Sequence, residues 1–193
     1  MVKLVYTSPL VLIYNAINYS HGNQHKNKSI TEPVGKDELN LIKKVGFHLN
    51  HSSVLEHSLI VYDVELSTKA LLELSRHRIS VSMTVSSSRY ALDKIGIELE
   101  PVGDSQIDFL LKQFKEMIEI QLKDKKKKEF DKIAMLLPQA FMYKAQISFN
   151  IRSLKHFLEL RTSKAAHYSI RQLANDMLLV LPNDYKYLLK DLE

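Results

Sequence analysis

Apolar and polar positions sketch the elements before any chemistry is considered. Val2–Tyr6 reads as a short strand. Ser8 followed by Pro9 is a helix start, with the hydroxyl as N-cap and proline at the first position, and this helix runs to about Asn18. Residues 20–36 are polar, carry Gly22, Pro33 and Gly35, and read as a long loop. Asp37 opens a helix with Leu39, Ile42, Lys43 and Phe47 along one face, ending near Asn50. After the short polar segment 51–58, the β-rich run 59–66 is a strand, and Ser67 and Thr68 offer caps for a helix over 69–77. Residues 79–90 alternate and are read as a strand or extended turn. The clearest helical stripe lies over 105–123, where Ile107, Leu110, Leu111, Phe114, Met117, Ile118 and Gln121 recur at a 3.6-residue period. A helix over 129–137 stops before Pro138, and 141–149 alternates as a strand. Asn150 caps a helix to about Arg161, and a last helix over 164–180 is ended by Pro182. No repeat or domain boundary interrupts residues 1–193, so the expectation is a single α+β domain, an antiparallel sheet flanked by long helices.

Composition narrows the chemistry. Apolar residues at 45% and charged residues at 25% suit a soluble domain with a real core. No apolar run reaches the ~18 residues a membrane helix needs, and the first residues lack the basic region and cleavage site of a signal peptide. Without cysteine there is no disulfide, thiolate metal site or cysteine nucleophile, which is compatible with a reducing cytoplasm. The five glycines come no closer than seven residues apart, so neither the dinucleotide fingerprint nor the P-loop can form. The formal charge is +5, and Lys123–Lys132, with six lysines and three acids, supplies +3 of it. That run reads as a solvated charged segment or as a nucleic-acid footprint lacking aromatic interleaving.

Two places break local rules. Arg76-His77-Arg78 ends a helix, where positive charge caps the dipole or builds an anion site. Ser86, Ser87, Ser88 and Arg89 follow, with hydroxyls and a guanidinium fork suited to a phosphate monoester without a glycine loop. The second place is the helix after Asn150. Arg161 falls on the apolar face of Leu154, Phe157 and Leu158, where it needs a carboxylate or a ligand as partner. Arg152, His156 and Glu159 share the opposite face, either solvated or lining a site shared with another subunit. His48, His51 and His57 lack a zinc-site pattern, so no metal is expected, although Glu56-His57 sets a carboxylate beside an imidazole.

The blocks HSSVLEHS (51–58), ELSRHRISVSMTVSSSRY (73–90) and SFNIRSLKHFLELR (148–161) resemble the flavin-dependent thymidylate synthases. That family carries R-H-R, seven residues and then S, preceded by H-x-x-x-x-E-H and followed by N-x-R-S-L-x-x-F-L-x-L-R. The resemblance spans 51–161. It implies the fold of thymidylate synthase-complementing proteins, a homotetramer with sites shared between subunits, and reductive methylation of dUMP to dTMP. Methylenetetrahydrofolate would donate the carbon, and FAD reduced by NADPH would donate the hydride. Carried over by position, Ser53, Arg76, His77, Arg78, Asn150, Arg152 and His156 match flavin contacts. Glu73 stands where the family has a dUMP-contacting Gln, and Arg76 also falls within the nucleotide site. Ser86, Ser87, Ser88 and Arg89 match the dUMP-binding segment, with Ser87 the family's serine counted from the arginine and Ser86 counted from R-H-R. Arg161 matches the arginine that stabilises dUMP ionised at N3. The chain departs from the pattern at Leu74-Ser75, Ala134, His156 and Ala165. Two other readings stand beside this one: a catalytically degenerate flavin- or nucleotide-binding relative, and a basic nucleic-acid-binding protein using lysines 125–128.

Overall fold

The computed structural model of the chain describes residues 1–124 and 129–190. The lysine run 125–128, on which the nucleic-acid reading rests, lies outside the described residues.

Strands β1 (Val2–Thr7), β2 (Ile60–Ser67), β3 (Val81–Val85) and β4 (Met142–Phe149) form one sheet in the order β1-β2-β4-β3. Every neighbouring pair is antiparallel. Alternation sorts the two faces. Ile60, Tyr62, Val64, Leu66, Ile147 and Phe149 point into the main core, while Lys3, Asp63, Lys144 and Gln146 lie on the open face. Helices α1 (Val11–Ser20), α2 (Lys36–Lys43), α3 (Thr68–Leu74), α7 (Ile151–Arg161), α8 (Tyr168–Leu179) and α9 (Asn183–Leu188) contribute the other side of that core. The expected α+β architecture is the observed one.

The caps at Ser67 and Asn150 are where the sequence puts them. The Ser67 hydroxyl accepts from the Ala70 N–H, and Asn150 Oδ1 accepts from the Ser153 N–H at 2.8 Å. Ser8 does different work. Its hydroxyl accepts from the Leu59 N–H and its N–H donates to the Leu59 carbonyl, so it stitches the end of β1 to the start of β2. Helix α3 ends at Leu74 rather than His77, which leaves Arg76-His77-Arg78 in the turn beyond it. The last long helix begins at Tyr168, not Lys164, because His167 Nδ1 accepts from the Ser169 N–H and caps it there. The sequence reading did not anticipate α9 or the short α4 (Leu92–Ile95).

The helix expected over 37–50 changes pitch midway. After α2 the backbone makes one π turn over Lys44–His48, which brings Gly46 against Leu55. A Cβ at Gly46 would sit 2.6 Å from Leu55 Cδ2, and Leu55 is fully buried. Gly46→Ala is therefore expected to cost about 1–3 kcal/mol, seen as a lower midpoint in urea with an unchanged m-value.

Helix α5 (Ser105–Asp124) and α6 (Phe130–Ala134) enclose a smaller core of Leu92, Ile97, Ile118, Phe130, Ile133 and Phe141. The apolar stripe on α5 is only partly covered. Ile118 is buried, whereas Leu110 is 65% and Met117 54% exposed. Among the described residues, nothing covers them.

Candidate functional site

The antiparallel register decides which residues meet. Val81 pairs with Phe149 and Ile60 also pairs with Phe149, so the start of β3, the start of β2 and the end of β4 converge at one end of the sheet. Three segments gather there: the turn 76–80, the 3-10 turn Ser52–Glu56, and the first turn of α7. Side-chain hydroxyls pin them together. Buried Ser58 donates to the Leu55 carbonyl at 2.7 Å and accepts from the Ile151 N–H at 2.8 Å. The Ser153 hydroxyl donates to the Ser80 carbonyl at 3.1 Å. Ser80 itself is held at φ 54°, an uncommon left-handed conformation for serine, at the rim of this site.

Between these segments lies a cleft of about 760 Å³. Its polar wall holds Arg76, His77, Arg78, Arg152, His156 and Arg161, with Asn150 alongside, and Ile79, Val81 and Leu160 supply apolar surface. Arg152 donates to Glu56 at 2.5 Å. Among the described residues, no carboxylate pairs with Arg78. The wall is thus rich in guanidinium groups over an apolar lining, with Arg78 lacking a carboxylate partner, which suits a planar ring system carrying phosphates.

Arg161 has the most specific surroundings. Its Nε donates to His77 Nε2 at 3.0 Å, its Nη1 to Glu73 Oε2 at 2.9 Å, and its Nη2 to the Glu73 carbonyl at 3.2 Å. Its side chain is 14% exposed. The arginine read from the sequence as needing a partner on an apolar face has a protein carboxylate. Glu73 also receives Lys69 at 3.1 Å and lies 3.8 Å from Arg76. The bond from Lys69 holds the Glu73 carboxyl below the usual carboxylate range, with Arg161 and Arg76 adding to it.

His77 is an acceptor at Nε2, so its proton sits on Nδ1 and the ring is neutral. Burial lowers its pKa to about 4, and the nearby Arg161, His156 and Arg76 act in the same direction. Its ring packs edge-on against Phe157 and His156. The unfolded chain takes up this proton near 6.5 and the folded chain only near 4. Stability from His77 is therefore full above pH 6.5 and is lost as the pH falls from 6.5 toward 4. Thermal melts are expected to show Tm falling across that window, and His77→Gln to flatten that part of the slope.

The remaining sequence candidates lie elsewhere. Ser53 is exposed on its 3-10 turn and is not among the cleft-lining residues. Ser86, Ser87, Ser88 and Arg89 follow the far end of β3, about 17 Å of strand from the cleft. Ser86 extends the sheet, its hydroxyl accepting from the Lys144 N–H and its N–H donating to the Lys144 carbonyl. The Ser87 hydroxyl accepts from the N–H groups of Arg89 and Tyr90, which leaves its own O–H to donate. Arg89 pairs with Asp131 at 2.7 Å. Within one chain, the phosphate-like segment and Arg161 do not meet. The sequence reading missed Ser58, Ser80 and Ser153, whose roles depend on the register between distant strands; an isolated serine gives no such signal. Among the described residues, no group of three or more His, Asp or Glu is placed to hold a metal ion, and no helix is long and apolar enough to cross a membrane.

Known proteins resemble this chain over most of its length. The sequence profile of the family described as thymidylate synthase complementing protein matches residues 3–183. A flavin-dependent thymidylate synthase of Helicobacter pylori is 33% identical over 177 residues, covering 81% of this chain and 83% of that protein. One from Wolinella succinogenes is 32% identical over 167 residues, covering 80% and 81%. A crystal structure of thymidylate synthase X from Helicobacter pylori with FAD and dUMP superposes with a TM-score of 0.87 at 27% identity, covering 100% of this chain and 98% of that one. The chain thus belongs to the thymidylate synthase complementing protein family, that of the flavin-dependent thymidylate synthases.

Proposed function

We propose that this chain converts dUMP to dTMP, transferring the methylene of methylenetetrahydrofolate to C5 of the uracil and releasing tetrahydrofolate. The observation that carries this reading is the full-length likeness to a synthase holding FAD and dUMP. The cleft fits FAD by its own chemistry: guanidinium forks at Arg76, Arg78 and Arg152 match a pyrophosphate, and Ile79, Val81 and Leu160 offer apolar surface to a ring. When bound there, FAD reduced by NADPH supplies the hydride that makes the methylene a methyl.

The chain's own residues do the rest. Arg76, His77, Arg78, Asn150, Arg152 and His156 form the cofactor wall. Neutral His77 orients the Arg161 guanidinium by accepting from its Nε. Arg161 faces the imide edge of the uracil and lowers the cost of negative charge at N3, which raises electron density at C5 for attack on the methylene carbon. Ser86, Ser87, Ser88 and Arg89 hold the nucleotide phosphate; the Ser86 and Ser87 hydroxyls each accept backbone N–H bonds and keep their own O–H to donate. Ser53, exposed and outside the cleft lining, is the remaining flavin contact in this proposal.

These roles need more than one chain. The separation of Arg161 from Ser87–Arg89 and the exposed apolar face of α5 support a homotetramer in which neighbouring subunits complete each site. A single domain, in which Tyr143 of β4 packs against both cores, and a cytoplasmic location belong to the same proposal. Anaerobic addition of FAD and NADPH tests the site. Protein-dependent bleaching of the flavin whose rate changes with dUMP is the expected result. Binding without bleaching would favour a degenerate relative, and no binding would remove the reading.

A further inference from the structure

Arg161 borders the cleft, and Glu73, which holds it, is not among the cleft-lining residues. A guanidinium has five N–H donors. Here Nε is directed to His77, while one bond each from Nη1 and Nη2 goes to the carboxylate and the backbone carbonyl of Glu73. Two donors are therefore left to meet a ligand. The cation is thus fixed by one neutral ring and one carboxylate, and that carboxylate, 17% exposed, is poorly screened by water.

We infer that Glu73 is a positioning residue that acts through Arg161: it aims the guanidinium at the cleft and offsets its charge, and so sets how readily the uracil of bound dUMP loses its imide proton. The inference rests on the proposed reading of the cleft as the dUMP site. It separates two effects that one carboxylate combines. A glutamine at position 73 keeps an acceptor oxygen for Arg161 Nη1 but removes the negative charge. Arg161 would then present its full charge to the imide, and ionisation at N3 would become easier.

The groups facing this pair come from three segments. Lys69 lies on α3, Arg76 and His77 in the turn beyond it, and Arg161 and His156 on α7; the two histidine rings lie 5.9 Å apart. A probe on the ligand reads the imide itself.

The test uses the FAD-loaded protein and dUMP labelled with ¹⁵N at N3, with the N3 resonance followed against pH. For Glu73→Gln the ionisation midpoint is expected about one pH unit below that of the unaltered protein, with the alkaline-rising limb of kcat moving the same way. Glu73→Asp keeps the charge and is expected to stay near the unaltered midpoint. Should the glutamine variant fail to fold, Glu73→Ala against Glu73→Asp makes the same comparison of charge absent with charge kept. Identical midpoints in the charge-free and charge-keeping variants would overturn the inference and leave Glu73 a structural tie. If the unaltered protein does not bind labelled dUMP, the reading of the cleft fails and the inference falls with it, an outcome distinct from equal midpoints.

Discussion

Arg161→Ala is expected to lower kcat for dTMP formation by roughly 10²–10³-fold or more, the usual loss when one preorganised donor to a developing anion is removed, while the chain stays folded. The fold is expected to survive because the partner left behind is not stranded. Glu73 retains Lys69 at 3.1 Å and Arg76 at 3.8 Å. The apolar face of α7 keeps Leu154, Phe157 and Leu158 buried. The loss should fall on kcat more than on KM for dUMP, because charge at N3 grows toward the transition state while the phosphate is held elsewhere. Arg161→Lys keeps the charge but lacks the fork that reaches His77 and Glu73 together, so it should recover only part of the rate. Steady-state kinetics with circular dichroism as a folding control decides this. A folded alanine variant with full activity would remove Arg161 from its assigned place.

The second large effect is a gain from two dead proteins. Arg89→Ala and Arg161→Ala are each expected to be inactive alone. Co-expressed with separable tags and isolated as hybrids, they should regain about a quarter of the normal sites by random assortment, if each site takes Arg89 from one subunit and Arg161 from another. The reason is distance. Arg89 lies past the far end of β3, beside Asp131, whereas Arg161 lies in the cleft near the start of that strand. If both arginines of a site came from one chain, every hybrid site would carry one lesion and activity would stay at background.

The sequence exposed the site's cations more fully than their partners. Arg76-His77-Arg78 stands out as a charge cluster, and Arg161 stands out because it interrupts an apolar stripe. Both are visible because local periodicity makes them anomalous. That Arg161 meets Glu73 and His77 follows instead from α7 passing the turn after α3, a tertiary fact that spacing does not encode. Ser58 and Ser153 tie the site together through register between distant strands. The helix over 105–123 shows the opposite case. The helix stands where its period places it, but Leu110 and Met117 of its stripe are exposed, and periodicity alone does not say what an apolar face packs against. Helix ends were misjudged where side chains had other engagements: Ser8 bonds Leu59 instead of capping α1, and His167 caps α8 later than Lys164 suggested. Cap residues announce themselves in sequence, but their partners are chosen by the fold.

The most direct measurement is product formation. The purified protein is incubated with dUMP, methylenetetrahydrofolate, FAD and NADPH, and dTMP is read by mass spectrometry, with each component omitted in turn. The predicted result is dTMP that requires dUMP and methylenetetrahydrofolate, depends on added or bound FAD, and disappears in Arg161→Ala. Absence of dTMP from a folded, flavin-loaded protein given all four components would contradict it.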